Sequence, residues 1–212
     1  MGHEVQLTVG DGTMGLYVAE PESDARGAVI VLQEAFGVNA HIRDITDRFA
    51  SEGYVSVAPH LFHRSGDPEL GYEDMTEVMP FIMQLQSDEV EADVDATLAH
   101  LASAGFEPSR VAPVGFCMGG SISFVAGCFW PLGAAVSFYG GGIAQSRFGF
   151  PPLFDLAPTL QAPWLGLFGD LDASIPTNEV EGLEKAVANA APATEVVRYP
   201  EANHGFHCDA RS

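Results

Sequence analysis

The sequence is short of positive charge. Nine Lys and Arg stand against 29 Asp and Glu, giving a formal net charge of −20, and Lys185 is the one lysine in 212 residues. A surface of that sign repels phosphate backbones and anionic headgroups, which argues against a nucleic-acid partner and against a membrane surface. Cysteine is scarce too. Cys117, Cys128 and Cys208 make no disulfide framework and fit a reducing compartment. No two cysteines have C-x₂-C spacing and the seven histidines are scattered, so no zinc site is read and no metal or cofactor is expected. No apolar run reaches the roughly 18 residues of a membrane-spanning helix. Met1-Gly2-His3-Glu4 has neither the basic nor the apolar segment of a secretory signal, and Gln6 stands where myristoylation needs Ser or Thr. The expectation is a cytoplasmic protein, a monomer or small homo-oligomer, whose acidity serves solubility.

What the sequence does have is apolar substance: 47% of residues are hydrophobic, enough for a globular fold with one sizeable core. Val5 to Val9 and Met14 to Ala19 flank Gly10-Asp11-Gly12 and read as a β-hairpin. Ala28 to Leu32 is a β-branched run suited to a buried parallel strand. Helical spacing over 40–52 follows, with Ile42, Ile45, Phe49 and Ala50 on one face. A strand over 54–58 comes next. Two helices, 75–85 and 90–101, are separated near Ser87 and Asp88, both suitable N-caps. Strands over 111–114, 134–139, 164–168 and 194–199 complete the pattern, with a helix over 178–190 and a Pro- and Phe-rich loop over 146–160. Pro113 inside a strand predicts a local irregularity, or an N–H position that faces no partner. Strands alternating with helices predict a single α/β domain over residues 1–212: a mostly parallel sheet with helices on both faces and an N-terminal hairpin.

One segment carries chemistry by its spacing alone. Val111 to Val114 leads into Gly115-Phe116-Cys117-Met118-Gly119, and an apolar stretch of small residues follows. This is a strand, a sharp turn and a helix with G-x-nucleophile-x-G spacing and Cys in the nucleophile position. Small neighbours two residues to either side let strand and helix close on each other. The free N–H groups of the helix start favour a thiolate and a developing oxyanion. Further along, Asp172 (or Asp170) and His204 also follow predicted strands. The chain order of nucleophile, acid and histidine is that of the α/β-hydrolase fold. A cysteine nucleophile needs a base, and the base needs a carboxylate to fix its tautomer.

Several segments together resemble the dienelactone hydrolase (carboxymethylenebutenolidase) family of α/β-hydrolases. They are Gln33-Glu34-Ala35-Phe36-Gly37-Val38-Asn39, Gly53-Tyr54-Val55 with Ala58-Pro59-His60-Leu61-Phe62, the Cys117 elbow, Phe138-Tyr139-Gly140, Asp172-Ala173-Ser174-Ile175-Pro176 and His204-Gly205-Phe206. The resemblance implies that Asp172, with Ile175-Pro176 after it, is the acid. It implies that Glu34 holds the resting thiol until substrate displaces it. It also implies that the backbone N–H groups of Ala35 and Met118 form the oxyanion hole. The expected activity is cleavage of a small-molecule ester or lactone through a Cys117–His204–Asp172 triad and a thioester. Phe36, Tyr139, Phe150 and Phe206 are expected to supply an apolar pocket.

The sequence also departs from the family. Of the two arginines that clamp a substrate carboxylate, one position is Cys208, and no Arg or Lys lies between Arg64 and Arg110. Unless Arg64 or Arg211 substitutes, a neutral substrate is expected. The family's C-terminal helix has no counterpart after His204, which would leave an apolar face exposed; the expectation is that a partner covers that face or that the sequence is part of a longer chain. Two other readings rank lower. A class I glutamine amidotransferase also uses a Cys elbow, but needs His-x-Glu where Gly205-Phe206 follows His204. A non-catalytic hydrolase-fold binding protein would have no use for the full triad.

Overall fold

The computed structural model describes residues 2–10, 12–73 and 75–209. Asp11, part of the expected hairpin turn, and Arg211, one of the two alternative clamp residues, lie outside the described residues. Eight strands form one sheet: β1 (His3–Val9), β2 (Gly12–Ala19), β3 (Ala28–Leu32), β4 (Val55–Pro59), β5 (Val111–Phe116), β6 (Ala135–Phe138), β7 (Trp164–Gly169) and β8 (Thr194–Tyr199). Their order is β1-β2-β4-β3-β5-β6-β7-β8. The hairpin pairs antiparallel, His3 opposite Val18, and β2 runs antiparallel to β4; every other pairing is parallel. The helices are α1 (Ala40–Ser51), α2 (Met75–Gln84), α3 (Ser87–Ser103), α4 (Met118–Phe129), α5 (Leu153–Leu156) and α6 (Thr177–Val187).

Burial follows the residue types. All five residues of β3 are buried, as a central parallel strand covered by helices requires. Helix α4 is buried along nearly its whole length against β5 and β6. Phe124 in its middle meets the Trp164 ring edge-on at 5.0 Å. Truncating a buried aromatic of this kind to alanine costs roughly 3–5 kcal/mol. The Trp164 indole N–H donates to Ser137 Oγ at 2.9 Å, and that hydroxyl donates to the Gly120 carbonyl at 2.7 Å, so the helix start is bonded to the sheet.

Two local expectations resolve in particular ways. Pro113 sits in β5 opposite Ile30, while the ladder to β6 begins one residue later, at Val114 opposite Val136. The proline thus precedes that ladder, and its carbonyl accepts from Ser123 Oγ at 3.1 Å. The break between the two long helices is real, but the cap is Gln86 rather than Ser87 or Asp88. Gln86 has extended backbone angles and makes no side-chain capping bond; Ser87 is already the first helical residue.

Candidate active site

The chain turns back on itself around β3. From β3 it goes to β4 on one side, and it returns as β5 on the other. In open α/β sheets a crevice forms beyond the strand ends at such a reversal. The loop after β3 carries Glu34, Ala35 and Phe36, and the turn after β5 carries Cys117 and Met118. Topology alone brings these two segments together.

Cys117 has φ +53° and ψ −112°, a conformation a non-glycine residue rarely adopts. The neighbours enforce it. A Cβ on Gly115 would collide with the Gly119 carbonyl, and a Cβ on Gly119 would collide with the Leu32 and Gln33 carbonyls. The Gly119 N–H donates to the Gln33 carbonyl at 3.1 Å, and the Cys117 N–H to the Phe138 carbonyl at 3.0 Å. The elbow is therefore pinned to both adjacent strands, and the thiol stands at the amino end of α4.

His204 lies in the loop after β8, with its Nδ1 2.6 Å from Asp172 Oδ2. Asp172 is buried, and its other oxygen accepts from Ser174 N–H at 2.8 Å and Ser174 Oγ at 2.6 Å. Burial raises the Asp172 carboxyl, but the bonds from His204 and Ser174 outweigh it and hold the group below the usual range. Burial works against charge on His204 too. Hydrogen bonds to Asp172 and to Cys117, with the charge of both, overcome it and push the ring up to about 10. Asp170 is drawn elsewhere, accepting from Arg198 Nε at 2.7 Å. Tyr139, with φ +41°, packs its ring 5.0 Å from His204 and 5.1 Å from Phe206.

These groups border a cavity of about 780 Å³. Cys117, Asp172 and His204 are on its wall, as are Ala35 and Met118. Among the described residues, no acceptor engages the Ala35 or Met118 N–H. Of the four aromatics expected in the pocket, Phe36 lines this cavity; Tyr139 packs on His204 and Phe206 on Tyr139, and Phe150 lines a smaller pocket beside it. Another stretch of wall comes from α2, whose Met75, Met79, Ile82 and Met83 recur at helical spacing. The three methionines are exposed, so the lining they give is apolar and deformable.

Sequence reasoning missed Arg147. It lies in the loop after β6, borders the cavity, and is exposed with no carboxylate in ion-pair range among the described residues. No motif marks it; only the path of that loop brings it there. Arg64 is not the substitute clamp. Its guanidinium grips Asp93 in a two-pronged pair at 2.8 and 2.9 Å, with Glu89 3.7 Å away, off the cavity wall.

Glu34 is fully buried but does not border the cavity. Its carboxylate gathers with a ring nitrogen of His41 and Cys208 Sγ, all within 4.8 Å of one another. Tyr72 packs on Phe36 at 4.4 Å between ring centres and accepts from Asn39 Nδ2 at 3.0 Å. Burial, the Cys208 thiol and the Glu34 charge all raise the Tyr72 hydroxyl.

A profile of the family described as "Dienelactone hydrolase family" matches residues 14–212. A protein of Salmonella typhimurium named "Putative carboxymethylenebutenolidase" is 38% identical over 203 residues, which span 93% of this chain and 75% of that protein. A Synechocystis protein of the same name is 37% identical over 203 residues, 92% of this chain and 82% of its own. Among solved structures, a "Putative Dienelactone Hydrolase" of Klebsiella pneumoniae superposes with a TM-score of 0.91 at 37% identity, covering 100% of this chain and 90% of that one.

Proposed function

The chain belongs to the dienelactone hydrolase family and is a hydrolase of ester or lactone substrates, and on that premise we propose that it works through Cys117, His204 and Asp172 with a thioester intermediate. The observation that carries this reading is the constellation itself. A cysteine on a strained turn and a histidine bonded to a buried aspartate at 2.6 Å meet on the wall of one cavity.

Each step follows from a named group. Asp172 takes the Nδ1–H of His204 and fixes the ring's orientation, leaving the other nitrogen toward Cys117. The bonds from His204 to Asp172 and to Cys117 raise the ring, so it is ready to hold the proton that leaves the thiol once substrate displaces Glu34. The thiolate attacks the substrate carbonyl carbon; a C–S bond forms and the carbonyl electron pair moves onto oxygen. The Ala35 and Met118 N–H groups hold that oxyanion, each such donor contributing about 3 kcal/mol in the transition state. Collapse breaks the C–O bond, and the departing alkoxide takes the proton from His204. Water then attacks the thioester, giving its proton to His204, and the second intermediate expels the Cys117 thiolate. From a lactone, the product is one hydroxy acid.

Glu34 belongs to the same proposal as the group that restrains the resting thiol. A carboxylate beside a thiol favours S–H over a second negative charge. Glu34→Gln should then raise the resting reactivity of Cys117 toward iodoacetamide, and an unchanged rate would remove this role.

The apolar walls favour an uncharged, hydrophobic acyl group. Arg147 supports a second reading, in which an anionic end of the substrate sits at the cavity mouth. Turnover of trans-dienelactone against an uncharged lactone, in the natural protein and in Arg147→Ala, separates the two. The triad itself is tested by p-nitrophenyl butyrate hydrolysis: Cys117→Ala and His204→Ala should be nearly inactive, and rates equal to the unsubstituted protein would refute it.

A further inference from the structure

We infer that Glu34, His41 and Cys208 form a binding site for a divalent transition-metal ion of the zinc class, behind the catalytic wall. The three come from separate segments: the loop after β3, the first turn of α1, and the turn after His204. Spacing in the sequence hid them, since 34, 41 and 208 make no local motif. In the fold their donor atoms lie within 4.8 Å of one another, with Glu34 and Cys208 buried and His41 half-buried. Three donors so spaced surround a point from which an inward shift of roughly 0.5–1 Å each reaches the 2.0–2.3 Å of zinc coordination. An independent observation points the same way. His41 Nε2 is buried and has no hydrogen-bond partner among the described residues. A buried imidazole nitrogen left in that state is costly unless something coordinates or bonds it.

The donor set decides the class of ion. One thiolate, one imidazole and one carboxylate suit zinc, cobalt or ferrous iron, whereas calcium and magnesium take oxygen ligands alone. Binding converts the Cys208 thiol to a metal-bound thiolate and releases one proton. None of the three residues borders the substrate cavity, so the ion would act on the fold rather than as a Lewis acid on the substrate. It would tie the loop that carries Ala35 to the turn that carries His204, holding the two sides of the active site in register. It would also take the Glu34 carboxylate from the resting thiol. In that respect the inference touches the proposed role of Glu34, but metal uptake is measured without reference to turnover.

The test is equilibrium dialysis of EDTA-stripped protein against Zn²⁺ alone, with cobalt as a spectroscopic probe. One tight zinc per chain is expected, retained in Cys117→Ala and weakened at least tenfold in Cys208→Ser and in His41→Gln. Cobalt should give a thiolate charge-transfer band that persists in Cys117→Ala and vanishes in Cys208→Ser. Because substitutions can unfold a buried site, the cobalt spectrum of the unsubstituted protein, recorded after Cys117 alkylation, stands as a second reading that needs no variant. No uptake above background would overturn the inference. So would zinc or a cobalt band lost with Cys117 and kept with Cys208→Ser, which would place the ion at the triad. Failure of the triad reading would show instead as unchanged ester hydrolysis in Cys117→Ala, whatever the metal result.

Discussion

Cys117 and Cys128 stand at opposite ends of α4, and nothing in their residue type distinguishes them. Cys128 is in the last turn, buried, with its Sγ 3.5 Å from the Leu156 carbonyl, and burial pushes its thiol up to about 12. Cys117 precedes the first turn, partly exposed at the cavity wall, with His204 in hydrogen-bond reach. The amino end of a helix favours negative charge and the carboxyl end opposes it. A thiol becomes a nucleophile by position: a turn that lifts it out of the core, a helix end of the right sign and a base. Cys128 has none of these and serves as packing.

The largest expected effect breaks this comparison outright. Cys117→Ala should lower kcat/KM for a p-nitrophenyl ester by at least about 10³-fold, while Cys128→Ala should leave it within about threefold and lower thermal stability instead. Steady-state kinetics with thermal melts on both variants checks this. Next comes reactivity. Iodoacetamide should modify Cys117 roughly 100-fold faster than Cys128 at pH 7, read by peptide mass spectrometry. Third is the histidine. NMR titration should place His204 near 10, and alkylation of Cys117 should move it down by removing the Cys117 contacts that raise it; Cys128→Ala should leave it in place.

The sign of the stability effect follows from the same shift. The His204 value is raised over the ordinary value of about 6.5, so its charge contributes stability in full below that pH and loses it as pH rises through about 10. Asp172 is lowered, so its contribution is present above the ordinary carboxyl range and fades as pH falls through its lowered value. Melting temperatures of the natural protein and His204→Gln should converge toward pH 10 and separate near neutrality. The smallest effect is expected for Ser174→Ala, which removes one of three bonds to Asp172. A loss of a few-fold in kcat, with little change in KM, would fit a positioning role.

Much of the fold was legible because it is local. The Gly10-Asp11-Gly12 turn announced the hairpin, the apolar run 28–32 its buried strand, and glycines at 115 and 119 the elbow. Cys117, Asp172 and His204 could be named because each follows a strand, and parallel strands deliver such residues to one edge of the sheet. Asp172 was separated from Asp170 only by resemblance; in the structure Arg198 holds Asp170 away. The rest depends on where distant segments cross. The path of the loop after β6 sets Arg147 at the cavity, and the crossing of α2 sets the methionine wall. The meeting of Glu34, His41 and Cys208 joins residues 7 and 167 positions apart, which no periodicity encodes. The Gln86 cap shows a finer limit: Ser87 has the better capping side chain, yet the helix starts one residue early.

The most direct test of the account is acid-quenched mass spectrometry of the natural protein during turnover of p-nitrophenyl butyrate. One butyryl group, mapped by fragmentation to Cys117, is expected to form within the first turnover and to be absent in Cys117→Ala. Turnover with no acyl group on Cys117, or with the group on Ser121 or another side chain, would contradict it.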